Sequence, residues 1–384
     1  MKKDLSLAPA SACVHAGAMH DELAHGVNSP IFPSTAFRYL ETKGNIYPRY
    51  YNTPNQVIVA QKIAALENGE SALIFSSGMA AISHTLLALL KSGDHIVSQS
   101  DLYGGTHYFI VSDLVRMGIQ HTFADGGDLK AIEAAIKPNT KLIYIETPSN
   151  PLLKITDLEG IARIAKKHGI LTMIDNTFAS PVHQVPINFG IDIVMHSGTK
   201  YLGGHSDLIF GAIVANKDLM QKIHHQSVNL GGNLNAIDCH LIERSIKTLF
   251  VRVRQQTSNA MKIAQFLEKH PKVAKVNYPG LESHPDHLLA KKQMKEGFGA
   301  MLSFEVKGLS SDALEVVKKL QLIAPALSLG GVETTITAPS TSSHSKLTAQ
   351  EREKLGIKDT LLRLSVGIEE ADDLIADLNQ ALKF

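Results

Sequence analysis

The sequence predicts an α/β protein: a mostly parallel sheet covered by helices on both faces, then a smaller α+β domain. Three observations carry this. Between residues 71 and 214, short apolar runs of strand length alternate with helical stretches, the pattern of parallel strands joined by crossover helices. Beyond about residue 245 the alternation changes character. Small-residue turns follow successive strands, on the side where open α/β sheets bind ligands.

At 384 residues the chain can bury a large core and form two domains. Hydrophobic content of 44% with a mean hydropathy of zero indicates a soluble, globular chain. Thirty-eight basic residues balance 37 acidic ones and no long basic run occurs, which argues against nucleic acid as a partner. Two cysteines, Cys13 and Cys239, cannot build a disulfide framework and point to a reducing, cytoplasmic setting. Met1-Lys2-Lys3 and the stretch from Leu5 to Cys13 hint at a lipoprotein signal. Asp4 and Pro9 break the apolar core such a signal needs, so it is rejected. No apolar run is long enough for a membrane span.

Residues 1–55 are read as an extended arm, because Pro30, Pro33, Pro48 and Pro54 interrupt every possible helix. An arm without its own core must pack on something, a neighbouring subunit among the candidates. Within it, Tyr47-Pro48-Arg49-Tyr50-Tyr51 combines a guanidinium fork with phenols, which suits a phosphate as well as an ordinary surface loop. A helix is expected over Gln56–Leu66, closed by Asn68-Gly69, and a strand over Ser71–Phe75. Ser76-Ser77-Gly78-Met79-Ala80 then opens an apolar helix to about Leu90. Such a turn aims several backbone N–H groups at one spot and favours an anion, though turns of this kind also serve packing alone.

Further strands are expected at His95–Ser98, Gln120–Phe123, Lys141–Ile145, Leu171–Ile174, Ile191–Met195 and Leu208–Val214. Helices are expected at Thr106–Met117, Asp128–Ile136 and Asp157–His168. After Gly231-Gly232 a helical stretch runs to about Lys269 with a weak interruption, and the domain change is placed near residue 245. Strands at Val273–Asn277, Ala300–Val306 and Leu361–Val366, with helices at His287–Lys295, Asp312–Leu320 and Ala371–Leu382, make the second domain. The segments are therefore an arm (1–55), a larger domain (56–245) and a smaller one (246–384).

Lys200 ends the run Ile191–Met195 through Ser197-Gly198-Thr199 and is followed by Gly203-Gly204. Burial would favour its neutral amine, a nucleophile toward an aldehyde cofactor held as a Schiff base. The alternative is a surface lysine in a turn. Asp175 closes another strand; it could pair with a protonated pyridine nitrogen or merely cap a turn. Arg363 interrupts an apolar strand and could meet a substrate carboxylate, or an internal partner such as Glu369 or Glu370. His224-His225 reads as a solvated helix face. No cluster with metal-ligand spacing is present, and no dinucleotide fingerprint or phosphate loop of the Walker type.

Together these motifs resemble the Cys/Met-metabolism family of pyridoxal-phosphate enzymes, of fold type I. The resemblance spans nearly the whole chain and is strongest over Ser197-Gly-Thr-Lys200-Tyr-Leu-Gly-Gly-His-Ser-Asp207. It implies a lyase of sulphur amino-acid metabolism in which Lys200 carries pyridoxal 5'-phosphate. Ser197, Thr199, Gly78 and Met79 would bind the cofactor phosphate, and Tyr47 and Arg49 would reach it from a neighbouring subunit. Tyr103 would stack on the ring and assist proton movement, and Asp175 would pair with the ring nitrogen. Asn150, Ser328 and Arg363 would hold the substrate's α-carboxylate. A homotetramer of two active dimers is implied. The reactions implied are α,γ-elimination of the cystathionine or methionine γ-lyase type, with cystathionine γ-synthase and cystathionine β-lyase as alternatives. The sequence departs from family patterns in three places. Leu327 stands where members acting on cystathionine by γ-chemistry often have Glu. Gly105 stands where methionine γ-lyases typically have Cys. Asn52-Thr53-Pro54 replaces Asn-Pro-Thr.

Overall fold

The apolar runs become strands because they are buried on both faces. Leu142, Ile143, Tyr144, Ile145, Met173, Ile174, Ile193 and Val194 are all fully enclosed, as in a sheet sandwiched between helices. The computed structural model describes residues 7–342 and 348–383. The first six residues of the arm, with the start of the stretch weighed as a signal, lie outside the described part. The first sheet comprises β1 (Ser71–Phe75), β2 (His95–Gln99), β3 (Gln120–Ala124), β4 (Thr140–Glu146), β5 (Leu171–Asp175), β6 (Ile193–Ser197) and β7 (Gly211–Ala215). Their order is β1-β7-β6-β5-β4-β2-β3. All neighbours pair in parallel except β7, which is antiparallel to both β1 and β6. The expected mostly parallel, seven-stranded sheet is thus present.

Most strand ends shift by a residue from expectation, but β6 and β7 start later still, for a local reason. β6 begins at Ile193 rather than Ile191, because Asp192 is occupied off the ladder: Thr172 N donates to its Oδ2 at 2.8 Å, and its own N donates to Thr172 Oγ1 at 2.9 Å. β7 begins at Gly211 because Phe210 is engaged with Thr199, whose N donates to Phe210 O at 3.1 Å.

The helices follow their caps. α1 (Pro9–His15) corrects the view that the arm has no helix: Pro9 sits in its first turn, where no N–H is needed. It buries Ala12 and Cys13, and Lys62 Nζ donates to Cys13 O at 3.0 Å. Then come α2 (Pro54–Leu66), α3 (Gly78–Leu89), α4 (Gly104–Tyr108), α5 (Leu129–Ala134), α6 (Leu158–His168) and α7 (Ser180–His183). The helix expected at Thr106–Met117 is α4 continuing into a π-helical segment, Phe109–Leu114. Asp128 and Asp157 cap α5 and α6, which moves the helix starts one residue inward.

α8 (Lys217–Leu230) was legible only at His224-His225. His224 is not solvated: it is half-buried and bonded to Tyr50 O at 2.8 Å. The stretch to Lys269 divides at Lys247-Thr248 into α9 (Ala236–Ile246) and α10 (Leu249–Lys269). The second sheet adds β8 (Val273–Asn277), β9 (Met301–Val306), β10 (Ala324–Pro325), β11 (Thr335–Thr337) and β12 (Leu361–Ser365), in the order β10-β11-β12-β9-β8. β10 and β11 are too short to leave a sequence signal. α11 (His287–Gln293), α12 (Ser310–Lys319), α13 (Ala349–Lys354) and α14 (Ala371–Ala381) complete the chain. Among the described residues no helix is long and apolar enough to cross a membrane.

Candidate active site

The parallel strands deliver three polar side chains to one edge of the sheet. β4 ends in Glu146, β5 in Asp175 and β6 in Ser197, with Glu146 directly beside Asp175 in the ladder. Both carboxylates are buried, and burial raises both from their ordinary range. Asp175 is supported by Thr177, whose N–H donates to Asp175 Oδ1 at 3.0 Å, and by the charges of His196 and Lys200. Asp175 is therefore partly the turn residue allowed for above. The Thr177 hydroxyl also accepts from Ser197 N at 2.8 Å, tying the ends of β5 and β6 together.

α3 starts against the same edge. Ser77 uses the N–H groups of Ala80 (3.0 Å, to Oγ) and Ala81 (3.1 Å, to O). Those of Gly78 and Met79 have no partner among the described residues, so the first turn presents two free donors. A side chain there would crowd the strand end: a Cβ on Gly78 would lie 3.0 Å from Ser197 Oγ, so Ser197 would have to give. Tyr103 is half exposed and arches over Gly105, where a Cβ would meet both Tyr103 Cε1 (2.5 Å) and Met79 Sδ (3.0 Å). Its backbone N donates to Glu146 Oε2 at 2.8 Å. Thr199 lies nearby, but its hydroxyl donates to Phe210 O at 3.2 Å.

Lys200 leaves this edge and meets the second sheet. Its Nζ donates to Ser328 Oγ at 2.7 Å. Burial, then the Arg363 charge, lowers its pKa from 10.5 to about 8, with Asp175 opposing. The surface-lysine alternative is excluded by this half-buried placement. Ser328 holds a left-handed backbone (φ 80°), unusual for a residue with a side chain, as at sites where the surroundings over-determine the chain.

Arg363, on β12, is 5% exposed. Its Nη1 donates to Asn150 Oδ1 at 2.9 Å and its Nη2 reaches Ser328 O at 3.5 Å. The internal salt bridge with Glu369 or Glu370 does not form. Glu369 instead accepts from Thr334 N and Oγ1, at 2.6 and 2.8 Å. Burial lowers the Arg363 pKa to about 10. A buried guanidinium with no carboxylate partner among the described residues is primed for an incoming one.

The structure thus brings together Gly78, Met79, Tyr103, Asn150, Asp175, Ser197, Thr199, Lys200, Ser328 and Arg363. Tyr47 and Arg49 stand apart. Arg49 donates to Val228 O at 2.8 Å and lies over the rings of Tyr47 and Tyr50, and among the described residues no hydrogen bond or ion pair joins either residue to the Lys200 cluster of its own chain. Sequence reading assigned no role to Thr177, Glu146 or Ser365. A hydroxyl two residues beyond a strand-end aspartate is the signal that could have found Thr177.

These groups fit pyridoxal phosphate on the structure's own terms. An amine lies close to neutrality, a buried carboxylate stands at a strand end, and an aromatic face is open. Two unpartnered helix N–H groups beside a serine can take an anion.

The comparisons agree. The family model described as Cys/Met metabolism PLP-dependent enzyme matches residues 10–383. The L-methionine gamma-lyase of Fusobacterium nucleatum subsp. polymorphum is 44% identical, with 97% of each chain covered. The cystathionine beta-lyase MetC of Bacillus subtilis is 47% identical over 86% of this chain and 84% of its own. A solved structure, cystathionine gamma-lyase from Lactobacillus plantarum complexed with L-serine, superposes with a TM-score of 0.93 at 42% identity, covering 98% of both chains. The chain belongs to the Cys/Met-metabolism family of pyridoxal-phosphate-dependent enzymes, and its cofactor is pyridoxal 5'-phosphate.

Proposed function

We propose that the protein is a carbon–sulphur lyase that performs α,γ-elimination on methionine or cystathionine, releasing a thiol, ammonia and 2-oxobutyrate. The observation that carries this reading is the Lys200 amine, 2.7 Å from Ser328 Oγ and under the opposing charges of Asp175 and Arg363. When bound, the cofactor supplies an electron sink for the bonds at the substrate's Cα. Lys200 would hold the cofactor, and its Nζ would move a proton between Cα and Cβ; γ-elimination needs that base twice. Asp175 holds the proton of the ring nitrogen. Gly78, Met79, Ser197 and Thr199 would bind the phosphate. Tyr47 and Arg49 reach that phosphate from a neighbouring copy of the chain. Tyr103 covers the ring and assists proton movement. Asn150, Ser328 and Arg363 hold the α-carboxylate.

We read the assembly as a cytoplasmic homotetramer of two active dimers, each chain divided into an arm (1–55), a cofactor-binding domain (56–245) and a smaller domain (246–384). In support, Tyr47 and Arg49 stay outside their own cluster, and Leu23 and Val27 in the arm are almost fully exposed. A sedimentation experiment giving a monomer would overturn the assembly.

β-Elimination is a second reading: Leu327, 71% exposed beside Ser328, offers no carboxylate to a distal ammonium and so does not tie the site to γ-chemistry on cystathionine. Products decide. Methionine or cystathionine alone should yield 2-oxobutyrate. Pyruvate would indicate β-elimination, and turnover only with an acylated homoserine plus cysteine would indicate γ-replacement.

A further inference from the structure

α10 carries three buried polar residues on one face, Arg252, Gln256 and Asn259, at spacings of four and three. A polar stripe inside a helix packed on the second sheet, against β8 and β9, is costly unless every group finds a partner. Most of the partners here are backbone carbonyls; besides them, Arg252 Nε donates to Thr248 Oγ1 (3.2 Å) and Asn259 Oδ1 accepts from Gln255 Nε2 (3.0 Å). Arg252 Nη1 donates to Tyr201 O (2.9 Å) and Nη2 to Ser245 O (3.1 Å). Gln256 Nε2 donates to Gly331 O (2.6 Å) and Val366 O (3.2 Å). Asn259 Nδ2 donates to Glu369 O (2.6 Å) and Gly367 O (3.2 Å). One helix therefore grips the turn bearing Lys200, the turn bearing Ser328, and the chain just past Arg363.

The two turns also touch directly. A Cβ on Gly330 would lie 2.8 Å from Tyr201 N, and one on Gly204 would collide with the Arg252 guanidinium. Both glycines have left-handed backbone, φ 77° and 69°. Ser365 adds a further tie, its Oγ accepting from Gly330 N at 2.8 Å. Gln256 Oε1 is buried without a partner, so this amide is retained at a cost, and its two donated bonds are what it supplies.

We propose that Gln256, flanked by Arg252 and Asn259, is a positioning residue: it sets the separation of Lys200 from Ser328 and Arg363, and so the affinity for the substrate carboxylate, without touching substrate. This rests on the assignment of Ser328 and Arg363 to that carboxylate. The test uses the full-length holoenzyme with Gln256→Met, which keeps shape and removes the donor, and Ser365→Ala as a milder cut of the same turn. KM for the amino-acid substrate, kcat, the melting temperature, and the Kd of the apoenzyme for pyridoxal phosphate are measured. KM should rise tenfold or more in Gln256→Met and severalfold in Ser365→Ala, with the cofactor Kd within about twofold of wild type. In an Arg363→Ala background the Gln256→Met effect on KM should largely vanish. A lower melting temperature with unchanged KM would make the stripe purely structural. Equal losses of cofactor and substrate affinity would mean that it holds the whole Lys200 loop, which also overturns the proposal. If Arg363→Ala alone leaves KM unchanged, the carboxylate assignment fails instead.

Discussion

Replacing Arg363 by alanine tests the substrate half of the site most directly. The guanidinium is buried, makes one good bond to Asn150 and a long one to Ser328 O, and has no ion-pair partner among the described residues. Its remaining donors form an unmatched fork. A desolvated charged contact of that kind is worth about 2–5 kcal/mol. At about 1.4 kcal/mol per tenfold, KM should rise roughly 30-fold at the lower bound and several thousandfold at the upper. The same substitution removes the second-largest influence lowering the Lys200 pKa, so that value should move up from about 8. Two readouts are thus linked: KM from steady-state product assays, and the pH midpoint for capture of pyridoxal phosphate by apoenzyme. Loss of the Asn150 partner should cost stability of about 1–3 kcal/mol, so circular dichroism must first show a native fold. A folded variant with KM within threefold of wild type, and an unmoved midpoint, would refute the reasoning.

Three further outcomes are expected. Lys200→Ala should abolish turnover while cofactor still binds non-covalently, and borohydride reduction of wild type should place the adduct on the peptide containing Lys200; an adduct elsewhere removes Lys200 from its role. The neutral amine is the attacking form, so the rate of cofactor capture by apoenzyme should rise with pH to a midpoint near 8 and then level off. A rate that is flat or falling from about pH 6.5 to 9 contradicts the placement of Lys200. Gly78→Ala should weaken cofactor binding about tenfold or more through crowding of Ser197, with helix content kept; equilibrium dialysis showing wild-type affinity would remove this turn from the phosphate site.

The strand-end residues were legible because a parallel sheet puts its functional side chains at the carboxyl ends, and the apolar runs mark those ends. Asp175, Ser197 and Lys200 could be placed from Leu171–Ile174 and Ile191–Met195 alone. Arg363 could not be resolved the same way. Its strand was plain, but the choice between Glu369 and an external carboxylate depended on where Glu369 pointed. Thr334 claims it, and nothing local to either residue in the chain says so. The arm misled for another reason: the prolines weighed against a helix, Pro30, Pro33, Pro48 and Pro54, all follow α1, whose burial comes from α2 and Lys62, far along the sequence.

What the sequence determined by itself was periodicity and composition. Strand and helix order, the mostly parallel sheet and the glycine turns all follow from local preferences and burial patterns that a linear reading can sum. Tertiary structure alone decided which turns meet: Lys200 with Ser328, Arg363 with Asn150, and α10 with all three segments around them. Lys200 and Ser328 are 128 positions apart and Arg363 and Asn150 are 213 apart, and the energy of such pairings depends on desolvation and on distances of about 3 Å. Neither quantity exists until both sheets have packed.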